Sequence, residues 1–218
     1  MSDGKEAYPG YTEYGTLISI DLGQQNDYTA ICIVERIMRG DPFKEGFTFK
    51  NLYKEYHLVD IFRPELGTPY PQIIKIIESI YNSEELRGRS KAIVIDQTGV
   101  GRPVFDEMQQ IWRRRLYGIT ITGGREVSIP TRNQFCVPKR DLIVSLQPAL
   151  QNGEFRIAKG LQLADTLIQE LQDFRVKISP TGHDSYESWR EKTHDDIVLS
   201  AAQAAWLLQT RYVRFSDE

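Results

Sequence analysis

The sequence predicts an α/β fold: a mixed sheet of three meandering strands followed by parallel strands, with helices on both faces. Three observations carry this. The runs Thr16-Leu-Ile-Ser-Ile-Asp21 and Ala92-Ile-Val-Ile-Asp96 are short and apolar, as strands buried in a central sheet are, and each ends in a carboxylate. Ile73, Ile74, Ile76, Ile77 and Ile80 recur at helical spacing. From Ala92 onward strand and helix patterns alternate, the pattern of α/β crossovers.

The elements follow in order. Residues 1–14 are rich in Gly, Tyr and charge and read as a flexible tail or linker remnant. Residues 16–22 form the first strand. Gln24-Gln-Asn-Asp27 is a polar turn, and the β-forming run Tyr28 to Glu35 returns as the second strand of an antiparallel hairpin. Arg39-Gly-Asp-Pro42 breaks the chain before a third strand, Phe47 to Asp60. Pro69-Tyr-Pro-Gln72 opens a helix that runs to Tyr81. Ala92 to Asp96 is a central strand, and Gly99-Val-Gly-Arg-Pro103 leads into a helix through Arg115. Gly118 to Thr122 is a further buried strand.

Val137-Pro138 is expected to start a helix through Gln151, kinked by Pro148. Glu154 to Ala158 is short and extended, and Leu161 to Asp173 is helical. Phe174 to Ile178 and Tyr186 to Trp189 alternate around Ser179-Pro-Thr-Gly-His-Asp184, which predicts an auxiliary β-hairpin. Thr193 begins a long Ala-rich helix to Gln209. One domain over residues 15–212, with a C-terminal tail at 213–218, is the expected organisation.

Composition excludes several classes. At 218 residues, 40% hydrophobic and 26% charged, the chain has the make-up of a soluble globular protein with a sizeable core. No apolar run reaches the roughly 18 residues of a membrane span, and the polar start MSDGKEAYPGYTEYG lacks a signal core. Cys32 and Cys136 form no CxxC pair and read as buried, reduced thiols. No GxxxxGK[ST] phosphate loop occurs, so a P-loop ATPase is not encoded. Net charge is −3 and the pI about 5.7, which taken alone argues against a nucleic-acid binder. A metal-dependent nuclease is the exception, because it gathers carboxylates at its site and bound cations invert the local field.

Two divalent metals roughly 3.5–4 Å apart can supply both the nucleophilic water and the leaving-group relief that phosphodiester hydrolysis needs. Mg²⁺ and Mn²⁺ prefer carboxylate oxygens. Asp21 and Asp96 are the first candidates, each a carboxylate at the end of an apolar strand, where an unpaired charge is costly. Each also fits a turn-forming Asp. Asp195 and Asp196, at the start of the last helix, are the next. Thr193-x-x-Asp196 also fits a capping box. Asp27 is either a further ligand or a plain turn residue, and His194 is a candidate neighbour of the metal ligands. Thr98 and Gly99, in Gln97-Thr98-Gly99-Val100-Gly101, allow close approach of backbone to a phosphate. Arg102, Arg125, Lys139, Arg140, Arg175 and Lys177 are candidates to line a DNA groove.

Three motifs carry a resemblance. Ile18-Ser-Ile-Asp21-Leu-Gly23, Val94-Ile-Asp96-Gln-Thr-Gly-Val-Gly101 and His194-Asp-Asp196-Ile-Val-Leu-Ser-Ala-Ala202 resemble the nuclease domain of the tailed-bacteriophage terminase large subunit. Lys139 to Gln147 and Gln151 to Ile157 are similar to the segment that precedes the family's last motifs. The resemblance spans residues 15–210. It implies an RNase H-like fold and two-metal cleavage of double-stranded concatemeric DNA with little sequence preference. Asp21 and Asp96 would be metal ligands, and one or both of Asp195 and Asp196 would complete the site. It further implies an N-terminal packaging ATPase missing from this chain, so that the chain is an excised and monomeric domain. The small terminase subunit and the portal would be partners, and the setting the host cytoplasm during virion assembly.

Other classes remain open. A Holliday-junction resolvase of the same fold would prefer branched DNA. Asp21-Leu-Gly with Thr29 faintly resembles the phosphate-1 loop of sugar kinases and chaperone-type ATPases, but 218 residues leave no room for their second lobe. A non-catalytic DNA-binding module would keep the fold without the acids, and here all three acidic positions are filled.

Overall fold

A computed structural model describes residues 11–23, 27–40, 53–177, 195–210 and 212–215. Strands β1 (Tyr11–Asp21), β2 (Ala30–Gly40) and β3 (Tyr53–Phe62) form an antiparallel meander. Helix α1 (Tyr70–Tyr81) follows, started by Pro69 at its N-cap, and a short 3-10 turn at Glu84–Leu86 leads on. Then come β4 (Lys91–Asp96), α2 (Gly101–Trp112), β5 (Leu116–Thr122), β6 (Ser128–Thr131) and β7 (Gln134–Pro138). Helix α3 (Lys139–Gln151), β8 (Phe155–Ile157), α4 (Ala164–Lys177) and α5 (Asp196–Gln209) complete the chain. The eight strands lie in one sheet in the order β6-β7-β5-β4-β1-β2-β3-β8. β4, β5 and β7 run parallel to β1, and β6 is antiparallel to β7. Among the described residues no helix is long and apolar enough to cross a membrane.

Side-chain alternation splits the sheet into two faces. Ile18 and Ile20 of β1 and Ile93 and Ile95 of β4 pack with Ile73, Ile77 and Ile80 of α1 and Val104, Phe105 and Met108 of α2. Their neighbours Leu17, Ala92 and Val94 face the other way, against Leu142 and Leu146 of α3, Leu167 of α4 and most of α5. Helices therefore cover both faces, as a mixed α/β sheet requires. Every residue of α5 from Asp196 to Leu208 is buried, which marks it as a core helix rather than an amphipathic surface helix.

Four expectations need correction. β1 begins at Tyr11 rather than Thr16, because β2 runs on to Gly40 and the ladder continues to the pair Tyr11↔Gly40. Val137 and Pro138 end a strand instead of starting a helix. Phe135 and Val137 are fully buried and alternate with the half-buried Gln134 and Cys136, a period of two that pairs β7 with β5. Phe174–Lys177 are helical rather than a hairpin strand. No Gly or Pro interrupts the chain from Ala164 to Lys177, so each added residue extends an existing helix at little cost. The rest of that hairpin, with His183 and Tyr186 to Trp189, lies outside the described residues. Both thiols are free as expected, but only Cys32 is buried, Cys136 being half-buried.

Candidate carboxylate site

β1 and β4 lie side by side and parallel, with Ile20 opposite Ile95 as their last registered pair. Asp21 and Asp96 are the next residue on each strand, so the ladder delivers both to the same edge. Both share the parity of Leu17 and Ala92, and their side chains therefore emerge on the face covered by α5. The chain order also reverses here: β1 leads to β2 and β3 on one side, and the chain then crosses to β4 on the other. Open α/β sheets bind ligands outside the carboxyl ends of their strands at such a reversal.

The first turn of α5 lies over this edge. Ser19 Oγ donates to the Ser200 carbonyl at 2.7 Å and Ser200 Oγ donates back to the Ser19 carbonyl at 2.8 Å. This reciprocal buried pair locks α5 onto β1. Asp195 is the N-cap of α5 but makes no side-chain capping bond, and Asp196 is its first helical residue and buried. Both carboxylates act electrostatically on Asp21, as does Asp96.

Two cations enter the cluster. Lys139, the first residue of α3, places Nζ 2.9 Å from Asp195 Oδ2. Arg63, just past β3, places Nη2 2.7 Å from Asp196 Oδ2 and 3.4 Å from Glu170 Oε1. Its guanidinium lies 4.3 Å from the Tyr28 ring centre. Glu170 of α4 completes the group, with Oε2 accepting the amides of Ile197 and Val198.

The loop after β4 is fastened to the next strand. Asp96 Oδ1 accepts the Thr98 amide at 2.7 Å and also the Thr98 hydroxyl. The same hydroxyl accepts the Ile121 amide of β5 at 2.8 Å. Gly99 adopts φ +59°, the left-handed region that favours glycine. A Cβ on Gly101 would stand 2.1 Å from the Asp96 carbonyl oxygen, so only glycine lets α2 start this close to the strand end.

Asp21 is the least compensated member. It is 7% exposed, and no hydrogen bond or ion pair reaches its carboxylate among the described residues. Burial, then the charges of Asp96, Asp196 and Asp195, push its pKa well above the usual carboxylate range, with Lys139 pulling back. Burial likewise pushes Glu170 up, to about 7, against the Val198 amide and Arg63. A carboxyl raised in the fold keeps its proton at a pH where the unfolded chain has released it. Its contribution to stability is complete below the unfolded value and is lost as pH rises through the folded one. The metal-free protein is therefore expected to lose stability from about pH 4.5 to about 7 on account of Glu170. Denaturant titrations in EDTA at several pH values should show a flatter profile for Glu170→Gln over that window. Equal slopes for both proteins would contradict the assignment.

The other candidates scatter. Asp27 is exposed and is not among the charges acting on Asp21. Lys139, expected in a DNA groove, sits inside the acidic cluster. Arg102 is exposed, bonds Gln134 and pairs with Asp106. Arg140 is exposed beside Asp141 and bonds the Arg125 carbonyl. Arg175 and Lys177 lie in the last turns of α4. His194 and Thr193 lie outside the described residues. Arg63 and Glu170 were missed by sequence reasoning. Glu170 did carry a signal, an acid on the helical stripe of Leu163, Leu167 and Leu171. Arg63, between a strand end and Pro64, carried none.

Fold and site together define a mixed α/β protein with a carboxylate cluster at the carboxyl ends of its central parallel strands. No protein-family model matches the chain, and neither a curated protein nor a solved structure matches it. Among the described residues no group of three His, Cys, Asp or Glu side chains is gathered tightly enough to hold a metal ion as it stands. Arg63 and Lys139 neutralise two of the acids instead.

Proposed function

We propose that this chain is a metal-dependent endonuclease with an RNase H-like core, acting on double-stranded DNA in the manner of the terminase nuclease domains its motifs resemble. One observation carries the reading. Asp21 is a buried carboxylate without a hydrogen-bond or ion-pair partner among the described residues, set beside Asp96 and facing Asp195 and Asp196. Such a group either holds its proton in the metal-free fold or is offset by a bound cation, and groups of this kind gather at functional sites. An oxygen-only donor set of this kind suits Mg²⁺ or Mn²⁺.

Asp21 and Asp96 would hold the metal from the sheet, and Asp195 and Asp196 from α5. When bound, the metal supplies an activated water and relief of charge on the leaving oxygen. The chain's own residues do the rest. The β1–β4 ladder sets the separation of Asp21 and Asp96. Thr98 orients Asp96 through two hydrogen bonds. Lys139 and Arg63 offset the charge of Asp195 and Asp196 and keep both carboxylates directed into the cluster. Thr98, Gly99, Arg102, Arg125 and Arg140, on the connections after β4 and β5 and in the first turns of α2 and α3, are the groups to contact DNA backbone. The same reading makes a packaging ATPase, the small terminase subunit and the portal the partners in a host cytoplasm.

Incubation of supercoiled plasmid with the 218-residue chain tests this. Nicked and linear products are expected with Mn²⁺ or Mg²⁺ and none with EDTA. Plasmid that stays supercoiled with both metals overturns the reading. Cleavage restricted to four-way junctions would point to the resolvase alternative, and saturable ATP binding to the phosphate-loop alternative.

A further inference from the structure

The first four amides of a helix have no partner within it and need one from elsewhere. The N-cap of α5, Asp195, contributes no side-chain bond, and its carboxylate is held by Lys139 instead. The partner comes from a different helix. Glu170 Oε2 accepts the Ile197 amide at 3.0 Å and the Val198 amide at 3.1 Å. Glu170 is 5% exposed, and its carboxylate lies where the helix dipole favours negative charge. Its other oxygen faces Arg63 Nη2, the nitrogen that also binds Asp196. One carboxylate thus holds both the backbone that carries Asp195 and Asp196 and the cation that orients Asp196.

We propose that Glu170 is a positioning residue for the metal ligands: it caps α5 from outside and, through Arg63, sets Asp195 and Asp196 over Asp21 and Asp96. The inference rests on the nuclease reading. Groups that orient metal ligands without touching the metal typically account for about 10–100-fold in metal affinity. Glu170→Ala removes both the cap and the charge. Glu170→Gln keeps a carbonyl oxygen for the two amides and loses only the hold on Arg63.

The test compares the 218-residue chain with both variants at about pH 8, in Mn²⁺-dependent plasmid nicking, in Mn²⁺ binding by calorimetry, and in thermal melts. Half-saturating Mn²⁺ is expected to rise by about 10–100-fold in Glu170→Ala and by less in Glu170→Gln, with the rate at saturating Mn²⁺ little changed. A melting temperature that falls in Glu170→Ala while the Mn²⁺ dependence of both variants stays at that of the parent overturns the inference and leaves a plain helix cap. Should Glu170→Ala fail to fold, an unshifted Glu170→Gln is decisive against it by itself. A parent chain that binds Mn²⁺ without cutting would remove the nuclease reading alone, and the calorimetric comparison would still judge Glu170. A parent chain that binds no Mn²⁺ would remove both.

Discussion

Replacing Asp21 by Asn is expected to cut metal-dependent cleavage by at least about 10²–10³-fold, the loss seen when one preorganised electrostatic group is taken from an active site. The same change is expected to make the metal-free protein more stable. Asp21 is buried, accepts no hydrogen bond among the described residues and faces three other carboxylates. Its charge is a cost to the apo fold, and an amide of the same shape removes it. For a domain of this size each ~1 kcal/mol gained raises Tm by about 2–4 °C. The gain should be present near neutral pH and vanish in acid, where Asp21 is protonated and already neutral. Thermal melts in EDTA, set beside plasmid assays in Mn²⁺, check both halves. A variant that cleaves at the parent rate, or that melts lower at neutral pH, would sink the proposed role.

Phe135→Ala is expected to be strongly destabilising, at about 3–5 kcal/mol. Phe135 is fully buried on β7. Its ring centroid lies 5.4 Å from that of Trp206 on α5 and 5.2 Å from that of Tyr212 in the C-terminal segment. Each such aromatic pair adds about 0.5–1.5 kcal/mol beyond the buried area. The ring therefore ties an outer strand of the sheet to its core helix. A fall of about 10 °C in Tm is the expected reading by circular dichroism. Ile129→Ala on β6, where Ile129 is 44% exposed, should stay within roughly ±0.5 kcal/mol. Comparable losses at both positions would mean that β7 does not pack as described.

Much of the fold was legible because its signals are local. The isoleucines of α1 repeat at helical spacing, and all but Ile76 are buried. The apolar run ending at Asp96 is a central strand, as its lack of polar alternation required. Two elements lie beyond the local signals, for different reasons. β6 has every residue exposed and exists because β7 offers it an edge. Phe174 to Lys177 alternate like a strand in sequence, yet they extend a helix already under way.

The candidate site divides the same way. The local sequence determined that Asp21 and Asp96 close apolar strands and that Asp195 and Asp196 lie at the start of an Ala-rich helix, since such patterns are read within a few residues. Tertiary structure alone decided that β1 and β4 pair in register, so that the two strand ends meet. It also decided that Ser19 and Ser200 lock α5 above them. Only the fold brings Lys139, Arg63 and Glu170 to these acids, from three elements far apart in the chain. The physical reason is that a buried carboxylate must be offset by whatever charge or amide the packing places next to it. That choice is made by side chains meeting across the core, at separations no local pattern encodes.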